Sequence, residues 1–288
     1  MPSIDFTATS ADGIALFCRD WLPDSTATIG GIYLLHGLGE HVGRYDALAR
    51  ELCAAGWRVR AHDHRGHGRS GGARGALAPA GDLRRDAVGL VTDFAKECAS
   101  APLLLGHSMG GALAAELVLT GAIPVRALVL SSPALALRVS AFQKVLLWLL
   151  VRSAPDLAIG NGLNPEWLSH EQHEVQAYVA DALVHNRITA RLLQWMVAAG
   201  ALARRQAPTL RVPTLLLYGG ADRIVDPDGA RHFARHAAPG MLTTREYEAA
   251  YHELFHESVP WRHEALADLL GWIGGQNYAP APTGEGEQ

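Results

Sequence analysis

A serine at position 108 stands where a nucleophile could be held. It is the centre of the pentapeptide Gly-His-Ser-Met-Gly at 106–110, which ends an apolar run and is followed at once by a helix-forming segment. Such a sequence predicts a strand, a turn too tight for side chains at both glycines, and a helix whose N-terminus lies beside the serine hydroxyl. A plain strand-to-helix turn has the same pattern, so the interpretation requires a base, an acid and oxyanion donors elsewhere in the chain.

Asp222 is the candidate acid, because in such an arrangement the acid follows the nucleophile and the base comes last. It lies in a glycine-containing loop after the apolar run 214–218, where it could orient an imidazole and stabilise its protonated form. A turn salt bridge with Arg223 or a helix N-cap are the structural alternatives. Asp226 and Asp228 are better N-cap candidates, since the proline between them is placed to open the next helix.

His252 is the candidate base, in the loop expected after the last strand. The segment 252–256 is also a literal HExxH, the signature of a zinc site. The extended zinc motif fails, because Val259 stands where a glycine is needed and His263 comes one place late. The two histidines also straddle a loop-to-helix junction, whereas zinc needs both on one helix face. We predict no metal, with His256 supporting the start of the final helix or facing solvent.

A second histidine-rich segment, His-Asp-His-Arg-Gly-His at 62–67, also suggests a metal. It is the exit loop of a predicted strand and lacks the HxHxDH order of binuclear hydrolases. We interpret its side chains as structural polar residues that frame the site.

Two backbone amides are expected to form the oxyanion hole. Met109 follows the nucleophile, and Leu38 lies in the glycine-rich loop after an earlier central strand, where glycines allow close approach of the backbone. Glu40 and Arg44 in the same segment are candidates for binding a polar head group. Their spacing favours instead an ion pair with each other across the first helical turn.

The elements that position these residues alternate between short Val/Ile/Leu-rich runs and helical patterns. This alternation is typical of an α/β fold with a mostly parallel sheet covered on both faces. Strands are predicted at 4–9, 13–21, 32–35, 58–61, 103–105, 127–130, 214–218 and 242–247. Helices are predicted at 44–55, 79–98, 109–120, 228–237 and 260–273. The first two strands are expected to form an antiparallel edge hairpin.

The alternation breaks between Pro133 and Pro208, where the sequence suggests helices and no convincing strand. Such a block is most simply an inserted cap over the carboxyl ends of the strands, where ligands bind in open α/β sheets. We therefore predict a core of residues 1–132 and 209–275 and a helical cap of residues 133–208. The Pro- and Gly-rich tail, 276–288, is predicted to be disordered.

Residues 145–151 of the cap are apolar on every side of a predicted helix, although one apolar stripe suffices for packing. The surplus face could meet an acyl chain, a second subunit or a membrane surface, with Lys144 and Arg152 as flanking interfacial cations. A fully buried cap helix is the alternative. Leu147 and Leu150 are predicted to contact the acyl chain.

Composition excludes several classes of protein. A net charge of -4 gives no electrostatic footprint for nucleic acid. Three widely spaced cysteines without a CxxC motif imply neither a disulfide framework nor a thiolate metal site. No signal peptide is recognised, and the longest apolar run falls far short of the ~20 residues that span a bilayer. We expect a cytoplasmic protein, with peripheral membrane contact through the cap as the only membrane association.

Taken together, the motifs resemble the monoacylglycerol lipase and lysophospholipase-like branch of the α/β-hydrolase family, from residue 4 to about residue 273. They are HGLGEHVGRY, AHDHRGHGRSGG, LLLGHSMGGALA, LLLYGGADRIVDP and AAYHELFHE. The resemblance implies an α/β-hydrolase fold, hydrolysis of carboxylic esters without a cofactor, and a cap that receives an acyl chain. By position it implies Ser108 as nucleophile, Asp222 as acid, His252 as base, and Leu38 and Met109 as oxyanion amides.

Two other functions remain open. A serine aminopeptidase or amidase on the same fold would need cap acids to hold a substrate amine, and the acids present read as a solvated helical face. They are Glu166, Glu171, Glu174 and Asp181. A non-catalytic ligand receptor would not require every triad position to be filled. A serine in place of an aspartate nucleophile argues against dehalogenase and epoxide hydrolase chemistry. The head group of the ester and the oligomeric state are not predicted.

Overall fold

The computed structural model describes residues 2–25, 28–77, 82–98 and 100–276. Its strands in chain order are β1 (Ser3–Thr9), β2 (Ala15–Trp21), β3 (Gly30–Leu35), β4 (Trp57–His62), β5 (Leu103–His107), β6 (Ala127–Ser131), β7 (Ala158–Gly160), β8 (Arg187–Thr189), β9 (Thr214–Gly219) and β10 (Leu242–Tyr247). Its helices are α1 (Asp46–Ala54), α2 (Asp82–Glu97), α3 (Ser108–Leu119), α4 (Ala141–Ser153), α5 (Gln172–Ala180), α6 (Ala190–Gln206), α7 (Pro227–His236) and α8 (Trp261–Gly275). The predicted starting point of α2 at residue 79 lies outside the described residues.

Eight strands form one sheet in the order β1-β2-β4-β3-β5-β6-β9-β10. From β4 to β10 all neighbours are parallel, while β1 and β2 form the predicted antiparallel hairpin and β2 pairs antiparallel with β4. Every residue of β5, β6 and β9 is buried, as expected for parallel strands covered on both faces. The predicted α/β-hydrolase fold is confirmed. Because the central strands are parallel, their carboxyl ends lie at one edge of the sheet.

The core has a layer on each face of the sheet, set by the alternation of side chains along each strand. Ile32 and Leu34 of β3 face a layer that includes buried residues of α1 and α8. Tyr33 and Leu35 face the opposite layer, which includes α2, α3 and α7. The helices on both faces thus hold the loops at the carboxyl edge in place.

The segment between β6 and β9 contains α4, α5, α6 and a short antiparallel hairpin of β7 and β8. The expectation that this segment holds no strand is wrong, because strands of three residues are too short to show an alternating pattern. The hairpin region is tied to the core: the His185 N–H donates to the Gly39 carbonyl at 2.9 Å, and the Thr189 N–H donates to the Gly75 carbonyl at 2.9 Å.

Helix α6 falls inside the predicted cap limits of 133–208, yet it packs on the core. Leu192, Met196 and Ala203 belong to the same buried cluster as side chains of α2, α3 and α7. This helix therefore joins the cap to the core.

At the other end of the chain, the predicted disordered tail lies, apart from residue 276, outside the described residues. Among the helices described, none is long and apolar enough to cross a membrane.

Candidate active site

Ser108 occupies the predicted sharp turn between β5 and α3. Its φ is 53°, in the left-handed region that costs energy for any residue with a side chain. A Cβ atom at Gly106 would collide with the Gly110 carbonyl, and one at Gly110 would collide with the Leu35 carbonyl. Glycine at both places is therefore a steric requirement of this turn, as the sequence predicted.

His252 and Asp222 are hydrogen-bonded to each other, although they lie 30 residues apart in the chain. The distance from His252 Nδ1 to Asp222 Oδ2 is 2.6 Å, and both side chains are buried. Asp222 Oδ1 accepts from the N–H groups of Ile224 at 2.8 Å and Val225 at 3.1 Å, which fixes the carboxylate. Burial lowers the pKa of His252, but the charge and hydrogen bond of Asp222 outweigh it, so the net pKa lies above its ordinary value.

The alternative roles for Asp222 are not supported. Asp226 caps α7, accepting from the Asp228 N–H at 3.2 Å, and Pro227 opens the helix as predicted. The side chain of Arg223 forms no ion pair with Asp222 but lies over the ring of Tyr251, with Cζ 5.3 Å from the centroid. The carboxylate of Asp222 is thus directed at the imidazole.

Ser108 and His252 line the same cavity, which has a volume of about 740 Å³. This is within the usual range of small-molecule sites, about 300 to 1,000 Å³. Most of its surface is apolar, and side chains of α4 and α6 supply much of it: Leu146, Leu147, Leu150, Leu193 and Met196. The cavity is therefore suited to an apolar ligand whose reacting group sits beside Ser108.

The loop after β3 lies against the nucleophile. Leu38 lines the cavity, and a Cβ atom at Gly37 would lie 3.2 Å from Ser108 Cβ. Met109 is in the first turn of α3, where backbone N–H groups have no partner within the helix. Both predicted oxyanion residues are thus brought to the serine.

Glu40 fixes the shape of this loop. Its Oε1 accepts from the Gly37 N–H at 2.6 Å and from the Tyr45 hydroxyl at 2.7 Å, while its Oε2 accepts from Arg44 at 2.9 Å. Glu40 lines the cavity, but its carboxylate is already occupied by these three donors. Its visible role is therefore to hold the loop that carries Leu38.

Arg44 lies behind the cavity wall and is not among its lining residues. Its guanidinium makes two hydrogen bonds of 2.6 Å to Glu253 in addition to the one to Glu40, and it lies 4.8 Å from the ring centroid of Tyr178. Burial raises the pKa of Glu253, but the charge of Arg44 outweighs it and holds this pKa well below its ordinary value. The structure thus favours the ion-pair alternative for Glu40 and Arg44 over contact with a head group.

Glu253 was missed by the sequence analysis, because its partner Arg44 lies 209 residues away. The only available signal was its place directly after His252. His256 was also placed wrongly: helix α8 begins at Trp261, and His256 Nε2 lies 2.8 Å from the Arg44 carbonyl. It therefore belongs to the Arg44 network and neither starts the final helix nor faces solvent.

The geometry of the HExxH segment differs from that of a zinc site. His252 lies in a loop, and His256 ends a single 3₁₀ turn, so the two do not share a helix face. Within the described ranges, no group of three or more His, Cys, Asp or Glu side chains is arranged to hold a metal ion.

The histidine-rich segment at 62–67 is buried beside the loop that follows β3. The His64 N–H donates to His36 Nε2 at 2.9 Å, and the rings of His36 and His64 lie 4.2 Å apart. The ring of His67 packs against His185 of the cap at 4.7 Å. Burial lowers the pKa of His62 to about 3, and the ring is neutral near pH 7. This agrees with a structural role in framing the site.

Helix α4 presents two different faces. Leu147 and Leu150, the residues predicted to contact an acyl chain, line the cavity, whereas Phe142 is 75% exposed and Trp148 is 54% exposed. The alternative of a fully buried cap helix is therefore wrong. The outer face carries apolar side chains that have no covering element in the described part of the chain.

Comparison with known proteins identifies a matching family profile and several similar proteins. A family profile described as serine aminopeptidase, S33, matches residues 26–259. A monoglyceride lipase of Mus musculus is 36% identical, with 92% of this chain and 88% of that protein covered. A monoacylglycerol lipase of Mycolicibacterium smegmatis is 33% identical, with 91% and 93% covered. The crystal structure of Paleococcus ferrophilus monoacylglycerol lipase has a TM-score of 0.81 at 33% identity, covering 90% of this chain and 98% of that one.

Proposed function

This chain belongs to the serine aminopeptidase S33 family and has the α/β-hydrolase fold, and on this basis we propose that it is a serine carboxylic-ester hydrolase of the monoacylglycerol lipase type. One observation carries the proposal: His252, which is hydrogen-bonded to Asp222, lines the same apolar cavity as Ser108 on its strained turn. The relatives named monoglyceride lipase support an acyl ester of glycerol as the substrate class.

The reaction follows from the roles proposed for these residues. His252 takes the proton of Ser108 as the hydroxyl attacks the ester carbonyl, and Asp222 stabilises the imidazolium that forms. The tetrahedral oxyanion is held by the amides of Leu38 and Met109. His252 then gives its proton to the departing alcohol, which leaves an acyl-serine. Water repeats the cycle and releases the fatty acid.

The aminopeptidase alternative finds less support in the cap. None of its four candidate acids, Glu166, Glu171, Glu174 and Asp181, lines the cavity. Asp181 instead binds His41, with Oδ2 2.8 Å from Nε2. The two glutamates that do line it, Glu40 and Glu253, are paired with Arg44. A substrate amine would therefore meet no unpaired carboxylate among the described residues.

We expect the purified protein to release fatty acid from monoacylglycerols, with kcat/KM at least about 100-fold above that for an aminoacyl-anilide. The physical reason is that an aminopeptidase holds the amine of its substrate on an unpaired carboxylate, and the described residues of this cavity supply none. A panel of glyceride esters and amino-acid anilides at equal concentration measures this directly. Faster cleavage of the anilides would reject the esterase assignment in favour of the peptidase.

Location in a reducing compartment is proposed from the cysteines. Cys18, Cys53 and Cys98 are all free thiols. Because disulfides persist in oxidising compartments, three free thiols support a location in the cytoplasm.

Peripheral membrane contact through α4 is proposed from its outer face. Phe142, Val145, Trp148 and Leu149 are all exposed on one helix, with Arg152 lying over the ring of Trp148 at 3.9 Å. An apolar face with flanking cations is typical of a helix that lies in a membrane interface. Such contact would bring the mouth of the cavity to a lipid substrate.

The two faces of α4 should respond differently to the same substitution. We expect Leu147→Asp to lower kcat/KM for a soluble long-chain ester at least about tenfold while sparing an acetate ester, because an acyl chain covering the leucine contributes ~1.5 to 3 kcal/mol on full burial. Leu149→Asp, the matched outer-face control, should leave both esters unchanged and weaken binding to phospholipid vesicles. Kinetics and vesicle sedimentation measure the two effects. Equal loss on both esters by Leu147→Asp, with a lowered melting temperature, would indicate only damage to packing.

A further inference from the structure

His107 is a buried polar residue of the cavity wall that the proposed mechanism does not use. It ends β5, directly before Ser108. Its Nδ1 lies 3.1 Å from the Ser131 carbonyl, which can only accept, so Nδ1 carries the proton. Burial lowers the pKa of His107 to about 4, and the ring is neutral near pH 7. Its Nε2 therefore has a free lone pair, to which none of the described residues donates.

Two contacts determine the direction of this lone pair. Nδ1 is bonded towards β6, and Cδ2 on the other side of the ring lies against the loop after β3, 3.3 Å from where a Cβ atom at Gly37 would be. The same point lies 3.2 Å from Ser108 Cβ. The ring thus spans the carboxyl end of β5, and its outer edge, with Nε2, is directed away from the sheet. Nε2 therefore faces the cavity beside the nucleophile.

His252 presents a second lone pair next to the first. The rings of His107 and His252 lie 4.8 Å apart. Because Nδ1 of His252 is bonded to Asp222, its Nε2 is also an acceptor. The ester group and the acyl chain of a substrate carry no hydrogen-bond donor. A donor for the two adjacent nitrogens must therefore come from an O–H group that enters or leaves the site.

We propose that His107 positions the water that attacks the acyl-serine, by accepting a hydrogen bond from one O–H of the water while His252 removes the proton of the other. The inference rests on the proposed function and adds a residue to its second step. The water oxygen bonds to the acyl carbon, and its proton passes to His252. The bond from that carbon to Ser108 Oγ then breaks, and Oγ takes the proton from His252. His107 gains and loses no proton.

This arrangement distinguishes water from a simple alcohol. Methanol has a single O–H, which it must give to His252 as it attacks. Its methyl group then stands where the second hydrogen of water would meet His107, and it cannot donate. His107 should therefore favour hydrolysis of the acyl-serine over transfer of the acyl group to an alcohol.

The test measures how the octanoyl-enzyme divides between water and methanol. The enzyme acts on p-nitrophenyl octanoate in a fixed water–methanol mixture, and gas chromatography gives the ratio of octanoic acid to methyl octanoate, with Ser108→Ala as the blank. In His107→Asn the amide can still donate to the Ser131 carbonyl but does not extend to the position of Nε2. We expect the ratio to fall about fivefold, as for loss of one neutral hydrogen bond.

The matched variant is His107→Gln, whose longer side chain can place an amide oxygen near the position of Nε2. We expect its ratio to stay close to that of the wild type. Both products come from the same acyl-enzyme, so the ratio does not depend on the acylation rate or on the fraction of protein that is folded. A merely structural role of His107 would lower the rate and leave the ratio unchanged.

Two outcomes would overturn the inference. One is an equal ratio in the wild type and in His107→Asn. The other is an unchanged ratio together with a lower kcat/KM for 1-octanoylglycerol than for ethyl octanoate, relative to the wild type. His107 would then bind a hydroxyl of the departing glycerol and not the attacking water.

The failure of this inference is distinguishable from that of the proposed function. Cleavage of the octanoyl esters with an unchanged product ratio in His107→Asn rejects the role of His107 and keeps the esterase. If the wild type cleaves none of these esters, the esterase assignment itself fails, and the role of His107 fails with it.

Discussion

We expect Ser108→Ala to lower kcat for ester hydrolysis by about 10⁴-fold or more, because it removes the proposed triad nucleophile. The residual rate comes from the oxyanion amides and from substrate binding, which the substitution leaves in place. The loss is measured as fatty acid released under saturating substrate. A second readout is the covalent adduct of a fluorophosphonate, which mass spectrometry should map to the peptide that contains Ser108.

Ser131→Ala is the matched control for this substitution. Ser131 is a buried serine at the carboxyl end of the neighbouring strand β6, and its hydroxyl has no hydrogen-bond partner in the structure. Its loss should leave both the rate and the labelling close to those of the wild type. An adduct on another serine, or an alanine variant at 108 that stays active, would reject the nucleophile assignment.

Acid should destabilise the fold of this protein well above the pH at which its carboxylates titrate. Burial lowers the pKa of five buried histidine side chains below the ordinary value of 6.5, to about 3 for His62 and about 4 for His107. The five are His36, His62, His64, His67 and His107. Below pH 6.5 the unfolded chain binds protons that the folded chain does not. The free energy of unfolding therefore falls as the pH is lowered.

The size of this effect follows from linkage. Each histidine that stays neutral in the folded state lowers the free energy of unfolding by about 2 kcal/mol between pH 7 and pH 5. His252 and His256 have raised pKa values and act in the opposite sense, which offsets part of the loss. We expect a net loss on the order of 5 kcal/mol, a large fraction of a typical total of about 5 to 15 kcal/mol.

Urea unfolding at pH 7, 6 and 5 measures this loss. Carboxylates with a lowered pKa, such as Asp5 and Glu97, weaken the fold only below about pH 4.5, so they do not contribute in this window. In His67→Gln the loss between pH 7 and pH 5 should shrink by about 2 kcal/mol, whatever the variant's stability at pH 7. Equal stability of the wild type at pH 7 and pH 5 would show that protonation of these rings does not lower the free energy of unfolding.

Most of the sheet was predictable because its central strands are short apolar runs bounded by glycine or proline. The positions of the proposed site residues were predictable for a related reason, since Asp222, His252 and Leu38 all lie in loops at the carboxyl edge of a parallel sheet. What local sequence could not reveal were contacts between distant segments. The Arg44–Glu253 pair, the packing of His67 on His185 and the pairing of β7 with β8 all depend on the finished fold. The packing of α6 against the core also depends on contacts between distant segments, so local sequence could not reveal it.

The left-handed backbone of Ser108 has a consequence for how this position evolves. A side chain at φ 53° destabilises the folded chain, and glycine would adopt the same angle without that cost. Selection for stability alone would therefore favour glycine at position 108. Only selection for chemistry retains a serine there, so a lineage that loses the need for hydrolysis gains stability by giving up its nucleophile.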